Sequence, residues 1–187
     1  MKIETNSKRI LACGIVICLV LLSTIGSASA YSLKSYWWQD EKAGFKIDSS
    51  VSTTWHNALN SAMDEWNDAP SDFYYYYDSS SDNKFQCQYL PQETWNGLCS
   101  TTYSGDSIIK TIITLNTAKS WSTYSICLPG KMDVQSTATH EFGHALGLAH
   151  STYSDATMWQ YGYTGTTWKR SLHSDDECGI RAMYGPE

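Results

Sequence analysis

The residues that could do chemistry lie in one run, His140-Glu141-Phe142-Gly143-His144-Ala145-Leu146-Gly147-Leu148-Ala149-His150. On a helix, residues four apart share a face, so His140 and His144 turn two imidazoles the same way, about one turn apart. Such a pair grips a tetrahedral zinc ion. Glu141, beside the first ligand, reaches a water on that metal and is the candidate general base. Gly147 adopts the left-handed conformation at low steric cost and is the expected end of the helix. The chain then turns and brings His150 to the same ion as a third ligand. A fourth position left to water marks a catalytic site rather than a structural one. A chance surface pattern is a serious competitor for H-E-x-x-H alone. It loses force once a third His and a Gly stand where the turn needs them.

Positioning these residues requires a helix over residues 133–146 and a scaffold around it. Residues 36–47 read as an early strand. Trp55, Leu59, Ala62, Met63 and Trp66 recur at helical spacing, with Ser52 or Thr53 as a cap and Pro70 beyond the end. Residues 73–77 form an aromatic run with strand propensity, residues 78–83 a polar loop, and residues 107–115 an Ile-rich strand. Ser174 and Glu177 have the spacing of a capping box for a last helix, which Gly185 and Pro186 close. The order implies an α+β fold, a mixed twisted sheet packed on long helices with a C-terminal helix.

The extended motif, followed by Met158 in Ala156-Thr157-Met158, is similar to the metzincin signature with its Met-turn. The resemblance implies a zincin-like catalytic domain in which Met158 forms an apolar floor beneath the ligands. Ser151, directly after the third His, resembles the matrixins, whereas astacins, serralysins and adamalysins carry Glu, Pro and Asp there. Gln160 stands where astacins and serralysins have a zinc-reaching Tyr. The stretch from Asp175 to Gly185 is similar to the last matrixin helix. By that likeness Asp176 braces the Met-turn and Asp175 pairs with a free N-terminus. Trp159, Tyr161 and Tyr163 fall where matrixins build the wall of the pocket for the residue after the cut. The likeness covers most of residues 36–186.

The chain also departs from the vertebrate members. With the signal leading almost directly into the domain, no propeptide cysteine is expected to block the zinc. The sequence has five His in all, too few for a second, structural zinc once three are used. Asp78, Asp82 and Asn83 lack the spacing of a calcium loop and read as a solvated turn, so Ca2+ has no support. The closest picture is a minimal, prokaryotic-style matrixin.

Lys8, Arg9, the apolar run 10–25 and Ala28-Ser29-Ala30 read as a secretory signal peptide over residues 1–30, too short in its apolar part for a spanning helix. Residues 31–187 then form one catalytic domain with 10 basic and 18 acidic residues, a net charge of −8. That balance argues against nucleic acid and against stable membrane association after signal cleavage. The expected partners are protein or peptide substrates, and the expected state is a secreted monomer. An even set of cysteines in an exported chain, Cys87, Cys99, Cys127 and Cys178, suggests two disulfides. Three pairings exist, and Cys87–Cys99 with Cys127–Cys178 is favoured.

Other residues take plainer readings. His56 is a surface or half-buried histidine on the first helix, and His173 a loop histidine. The Tyr74–Tyr77 run is a half-buried strand in preference to a glycan platform. The function expected is a zinc endopeptidase. A non-catalytic zinc-containing binding module is disfavoured because Glu141 and all three His are present. A zinc amidase acting on cell-wall material shares the chemistry and differs only in its cleft.

Overall fold

The computed structural model describes residues 30–185. The expected signal segment 1–30 therefore lies, all but Ala30, outside the described residues. The elements run β1 (Lys42–Ile47), α1 (His56–Asn67), β2 (Tyr74–Tyr77), β3 (Lys84–Gln88), β4 (Gly97–Ser104), β5 (Ser107–Asn116), β6 (Trp121–Ser122), β7 (Met132–Asp133), α2 (Val134–Leu146) and α3 (Ser174–Tyr184). One-turn 3-10 helices at Thr53–Trp55 and Trp168–Arg170 precede α1 and α3. The architecture is the α+β arrangement expected, a mixed five-stranded sheet in the order β2-β1-β3-β5-β4. All neighbours are parallel except the edge strand β4, which runs antiparallel to β5.

Alternation builds the core. Ala43 and Phe45 of β1, Tyr75 of β2, Phe85 of β3, and Ile113 and Leu115 of β5 are buried. They meet Leu59, Ala62, Met63 and Trp66 of α1 and Phe142, Ala145 and Leu146 of α2. Phe142 is the hub, with edge-to-face or tilted ring contacts to Phe45, Tyr75 and Phe85 at 5.1–6.0 Å between centroids. Burying a ring of this size contributes on the order of 2 kcal/mol.

Several boundaries differ from the sequence reading. The early strand begins at Lys42 rather than at residue 36, because Glu41 takes a positive φ of 53° and its N–H bonds Trp38 O, which turns the chain. Trp37 forms only an isolated bridge to Ser107. Ser52 caps the 3-10 turn, accepting from Thr54 N, and α1 proper starts at His56. The capping box of α3 is shifted by one residue from Ser174 and Glu177. His173 Nδ1 accepts the Asp175 N–H at 3.1 Å, and the Asp176 carboxylate accepts the His173 N–H at 2.9 Å. A carboxylate at the third helical position reaches back to the cap, and Asp176 rather than Glu177 occupies it.

The expected disulfides are not formed, and all four cysteines are free thiols. Cys87 lies opposite Leu115 and Cys99 opposite Ile113, so β5 stands between them. Two strand spacings, about 9.5 Å, exceed the roughly 7 Å that a disulfide tolerates between Cα atoms. Cys127 is buried with its thiol donating to Lys131 O at 3.2 Å, while Cys178 is exposed on α3.

Candidate metal centre

The helix that carries the motif is fixed at both ends and along one side. Asp133 caps its start, accepting from Ser136 N at 2.8 Å, and is itself held by the Arg170 guanidinium at 2.6 Å. Four aromatic side chains donate to its carbonyls: Trp66 Nε1 to Thr139 O, Tyr75 OH to Phe142 O, Trp38 Nε1 to Ala145 O, and Tyr184 OH to Leu146 O, all at 2.6–2.8 Å. The last two satisfy carbonyls that a helix C-terminus otherwise leaves unpaired. The helix stops at Gly147, whose φ is 109°, with Leu148 N–H returning to Gly143 O and Gly147 N–H to His144 O. That pair of bonds is a Schellman closure.

Beyond Gly147 the chain is pinned by the N-terminal segment. Lys34 N–H bonds Gly147 O, Ala149 N–H bonds Ser32 O, and Thr152 N–H bonds Ala30 O. This ladder delivers His150 to the two helical histidines. The three rings lie 4.8–5.4 Å apart between centroids, and their candidate ligand atoms all fall within 4.8 Å of one another. His140 Nδ1 is 2.7 Å from Thr157 O, and His144 Nδ1 is 2.9 Å from Leu148 O. Each carbonyl can only accept, so each Nδ1 carries the proton and Nε2 is left as the lone-pair donor. His144 and His150 Nε2 are 3.2 Å apart. Two nitrogens bound tetrahedrally at ~2.05 Å from zinc would lie about 3.3 Å apart. The donor set therefore fits a zinc ion. Burial lowers the pKa of all three imidazoles, well below the usual range for His140 and to about 4 for His144. They are neutral ligands at neutral pH.

Glu141 is buried beside them. Burial raises its carboxyl to about 8, against the lowering pull of the Lys169 ammonium and a hydrogen bond from the Cys99 backbone. Its carboxylate lies against edge strand β4 where Gly97 has no side chain; a Cβ there would stand 2.7 Å from Oε1. Met158 is 2% exposed and lies below Gly143, and Ser151 N–H bonds Met158 O at 2.9 Å. The Asp176 carboxylate accepts Thr157 N–H at 2.7 Å and Met158 N–H at 2.9 Å, so it holds this turn by both oxygens. Asp175 accepts the Ala30 and Tyr31 N–H groups at 2.9 and 3.0 Å and the Ser151 hydroxyl at 2.7 Å.

A cavity of about 570 Å³ opens over the three histidines and Glu141. Tyr161 and Tyr163 line it as expected, but Trp159 does not: its ring backs Tyr161 at 5.5 Å, and Gln160 takes the lining position. His173 serves as the cap of α3 and stacks on Tyr153, outside the cavity. Asn83 brackets strands through Gly44 O and Thr111 N. Sequence reasoning missed β4 as a wall of the cavity and missed Gly97, Ser136, Trp168 and Lys169 among its lining residues. Only the Gly97-Leu98-Cys99 run, with its small residue before an apolar one, hinted at a strand there.

The family model described as Matrixin matches residues 37–185. Over shorter stretches the chain is 54% identical to matrix metalloproteinase-19 of Homo sapiens, across 48 residues that make up 26% of this chain and 9% of that one. It is 52% identical over 48 residues to the hatching enzyme of Paracentrotus lividus, again 26% of this chain and 8% of the relative. With Metalloendoproteinase 1-MMP of Arabidopsis thaliana it shares 44% identity over 55 residues, 29% of this chain and 15% of that protein. The chain thus spans between 8% and 15% of the length of these relatives.

Proposed function

The chain belongs to the matrixin family, and on that premise we propose that it is a secreted zinc endopeptidase that hydrolyses peptide bonds with Glu141 as general base. The observation that carries the proposal is the convergence of three neutral imidazoles on one point, with Nδ1 of His140 and of His144 bonded to backbone carbonyls so that Nε2 is left for the metal, beside a buried carboxylate. His140, His144 and His150 would hold a zinc ion, which would supply a Lewis acid to acidify water and polarise the scissile carbonyl.

The rest of the chemistry belongs to the chain. Glu141 takes the proton of the attacking water and returns it to the leaving amine. The ionised carboxylate that a general base needs would be favoured by a zinc ion on the neighbouring histidines. The Cys99 N–H fixes the carboxylate's orientation, and Gly97 gives it room. Edge strand β4 borders the cavity through Gly97, Leu98, Cys99 and Thr101, and its unpaired edge offers backbone groups to an extended peptide. Tyr161 and Tyr163 line the same cavity and offer apolar surface to substrate side chains. Met158, braced by Asp176, supports the ligands from below.

Residues 1–30 act as the export signal in this reading. Cutting after Ala30 leaves the Tyr31 ammonium within 3.0 Å of Asp175. No helix among the described residues is long and apolar enough to cross a membrane. The domain then works as a monomer on proteins outside the cell.

The test is cleavage of unfolded casein by residues 31–187, with and without a zinc chelator, beside Glu141→Ala. We expect chelator-sensitive cleavage, lost in the variant although it still binds one zinc. A folded, zinc-loaded protein that cuts neither casein nor a broad peptide panel would refute the endopeptidase reading.

A further inference from the structure

Lys169 is an ammonium in an unusual place. Its side chain is 6% exposed and lines the same cavity as His140 and Glu141. The Trp168–Arg170 turn carries it in behind His140, on the side of the ring away from the metal-facing nitrogen. There Nζ donates to Trp159 O. Its next neighbour is His140 Nδ1 at 3.4 Å. That nitrogen already donates its proton to Thr157 O at 2.7 Å, so it has no lone pair to offer. An ammonium has three donors, and Lys169 therefore keeps two without a protein acceptor.

Nor does any carboxylate pair with it. Among the described residues the ion pairs within 4.0 Å are Lys84–Asp48 and Arg170–Asp133. The surrounding acids are otherwise committed. Asp133 is held by Arg170 and the Ser136 N–H, and Asp176 accepts from Thr157, Met158 and His173. Glu141 faces Lys169 from beyond ion-pair distance and holds the Cys99 N–H. A second polar group in the same cavity is equally alone: the Ser136 hydroxyl, one helical turn before His140, is buried with no protein partner. Buried charges are stable when paired and costly when not. Lys169 and Ser136 both line this cavity, and an ammonium without a carboxylate partner near a hydroxyl without any protein partner is complementary in charge to an anion brought in by the ligand.

We propose that Lys169 is a specificity-determining residue, and that the cavity takes a carboxylate-bearing side chain, glutamate above all, from a substrate residue flanking the cut bond. The inference rests on the endopeptidase reading for its setting. The ammonium and the Ser136 hydroxyl donate to the two carboxylate oxygens, while Tyr163 and Trp168 pack on the methylenes. An amide of the same shape brings two N–H donors against donors and is disfavoured.

The experiment digests a peptide library made from denatured proteins with the zinc-loaded protein and reads the cut sites by mass spectrometry. Two peptides that differ only as Glu or Gln at the preferred position are then compared. Glutamate should be enriched beside the cut, and the Glu peptide should exceed the Gln peptide at least tenfold in kcat/KM, mainly through KM. Lys169→Met should bring that ratio near one, and Lys169→Glu should turn the preference toward Lys and Arg. The wild-type Glu/Gln comparison needs no variant, so a misfolded variant does not blunt it. The same pair is also measured for binding to zinc-loaded Glu141→Gln by fluorescence anisotropy, which reads the pocket without turnover. Absence of all chelator-sensitive cleavage would defeat the endopeptidase reading alone. Cuts beside apolar residues, equal binding of the pair, or a ratio that survives Lys169→Met would overturn the role of Lys169.

Discussion

Gly143→Ala sets two effects of known size against each other. Gly143 sits in the interior of α2, where Ala is ordinarily favoured over Gly by about 1 kcal/mol. The structure predicts the opposite sign. A Cβ at this position would lie 2.7 Å from Trp66 Cζ2 and would also strike Met158 Sδ. Carbon atoms pack at about 3.5–4.0 Å, so the indole would have to recede by roughly 1 Å. It cannot do so freely, because Trp66 is fully buried and its Nε1–H is bonded to Thr139 O at 2.8 Å. Met158 can rotate, at a cost of about 0.5–1.5 kcal/mol if it leaves its rotamer. Overpacking of this kind costs about 1–3 kcal/mol. Adding the two costs and subtracting the helix gain leaves a net loss of about 0.5–3.5 kcal/mol, or roughly 2–10 °C in Tm for a domain of this size. Guanidinium unfolding of the metal-free protein measures the first figure. A competing chromophoric chelator measures the second consequence, weaker zinc binding as the turn below the ligands is pushed away. An alanine variant as stable as the parent, with equal zinc affinity, would refute the close contact between helix and Met-turn.

The remaining predictions test the site's electrostatics, its turn and its thiols. In the metal-free protein Glu141 has a folded pKa of about 8 against an ordinary 4.5. The folded state therefore holds a proton that the unfolded state has lost, and the wild type loses stability as pH rises from about 4.5 to about 8. Glu141→Gln lacks this term, so the two should melt alike at pH 4.5 and diverge in favour of Gln by up to about 1.4 kcal/mol per pH unit; a gap flat with pH would contradict the burial. Gly147→Ala forces a side chain onto a residue with φ of 109° and places a Cβ 2.5 Å from Tyr36 O. A loss of at least about 2 kcal/mol with weakened zinc binding is expected, and a loss below about 0.5 kcal/mol would be inconsistent with that geometry. Iodoacetamide at pH 8 should label exposed Cys178 well before Cys87, whose thiol burial pushes up to about 11; peptide mapping showing equal rates, or no free thiol, would count against the four unbridged cysteines.

What the sequence made legible, and what it hid, divides along the range of the forces involved. The two helical histidines, the candidate base beside the first and the stop at Gly147 follow from helix period and one backbone conformation, so a local pattern reveals them. The strands β3 and β4 gave no such pattern. Phe85 is the only fully buried side chain of β3, and β4 alternates half-buried with exposed residues because it is an edge strand. Their place is set by pairing with β5, which no window along the chain contains. The cap of α3 slipped by one residue because two acids stand side by side, and only the Met-turn amides decide that Asp176 turns inward. Cys87 and Cys99 look like a clip at a separation of twelve residues, until β5, which comes later in the chain, is inserted between them. Lys169 is the extreme case. Between Trp168 and Arg170 it reads as an ordinary basic residue, and its burial depends on how the chain from Trp159 to Arg170 closes against α2. The candidate catalytic residues are thus specified locally, while Lys169, proposed to select the substrate, is placed by closure of distant segments. A single catalytic motif can therefore stay constant while a substitution such as Lys169→Met alters the substrate.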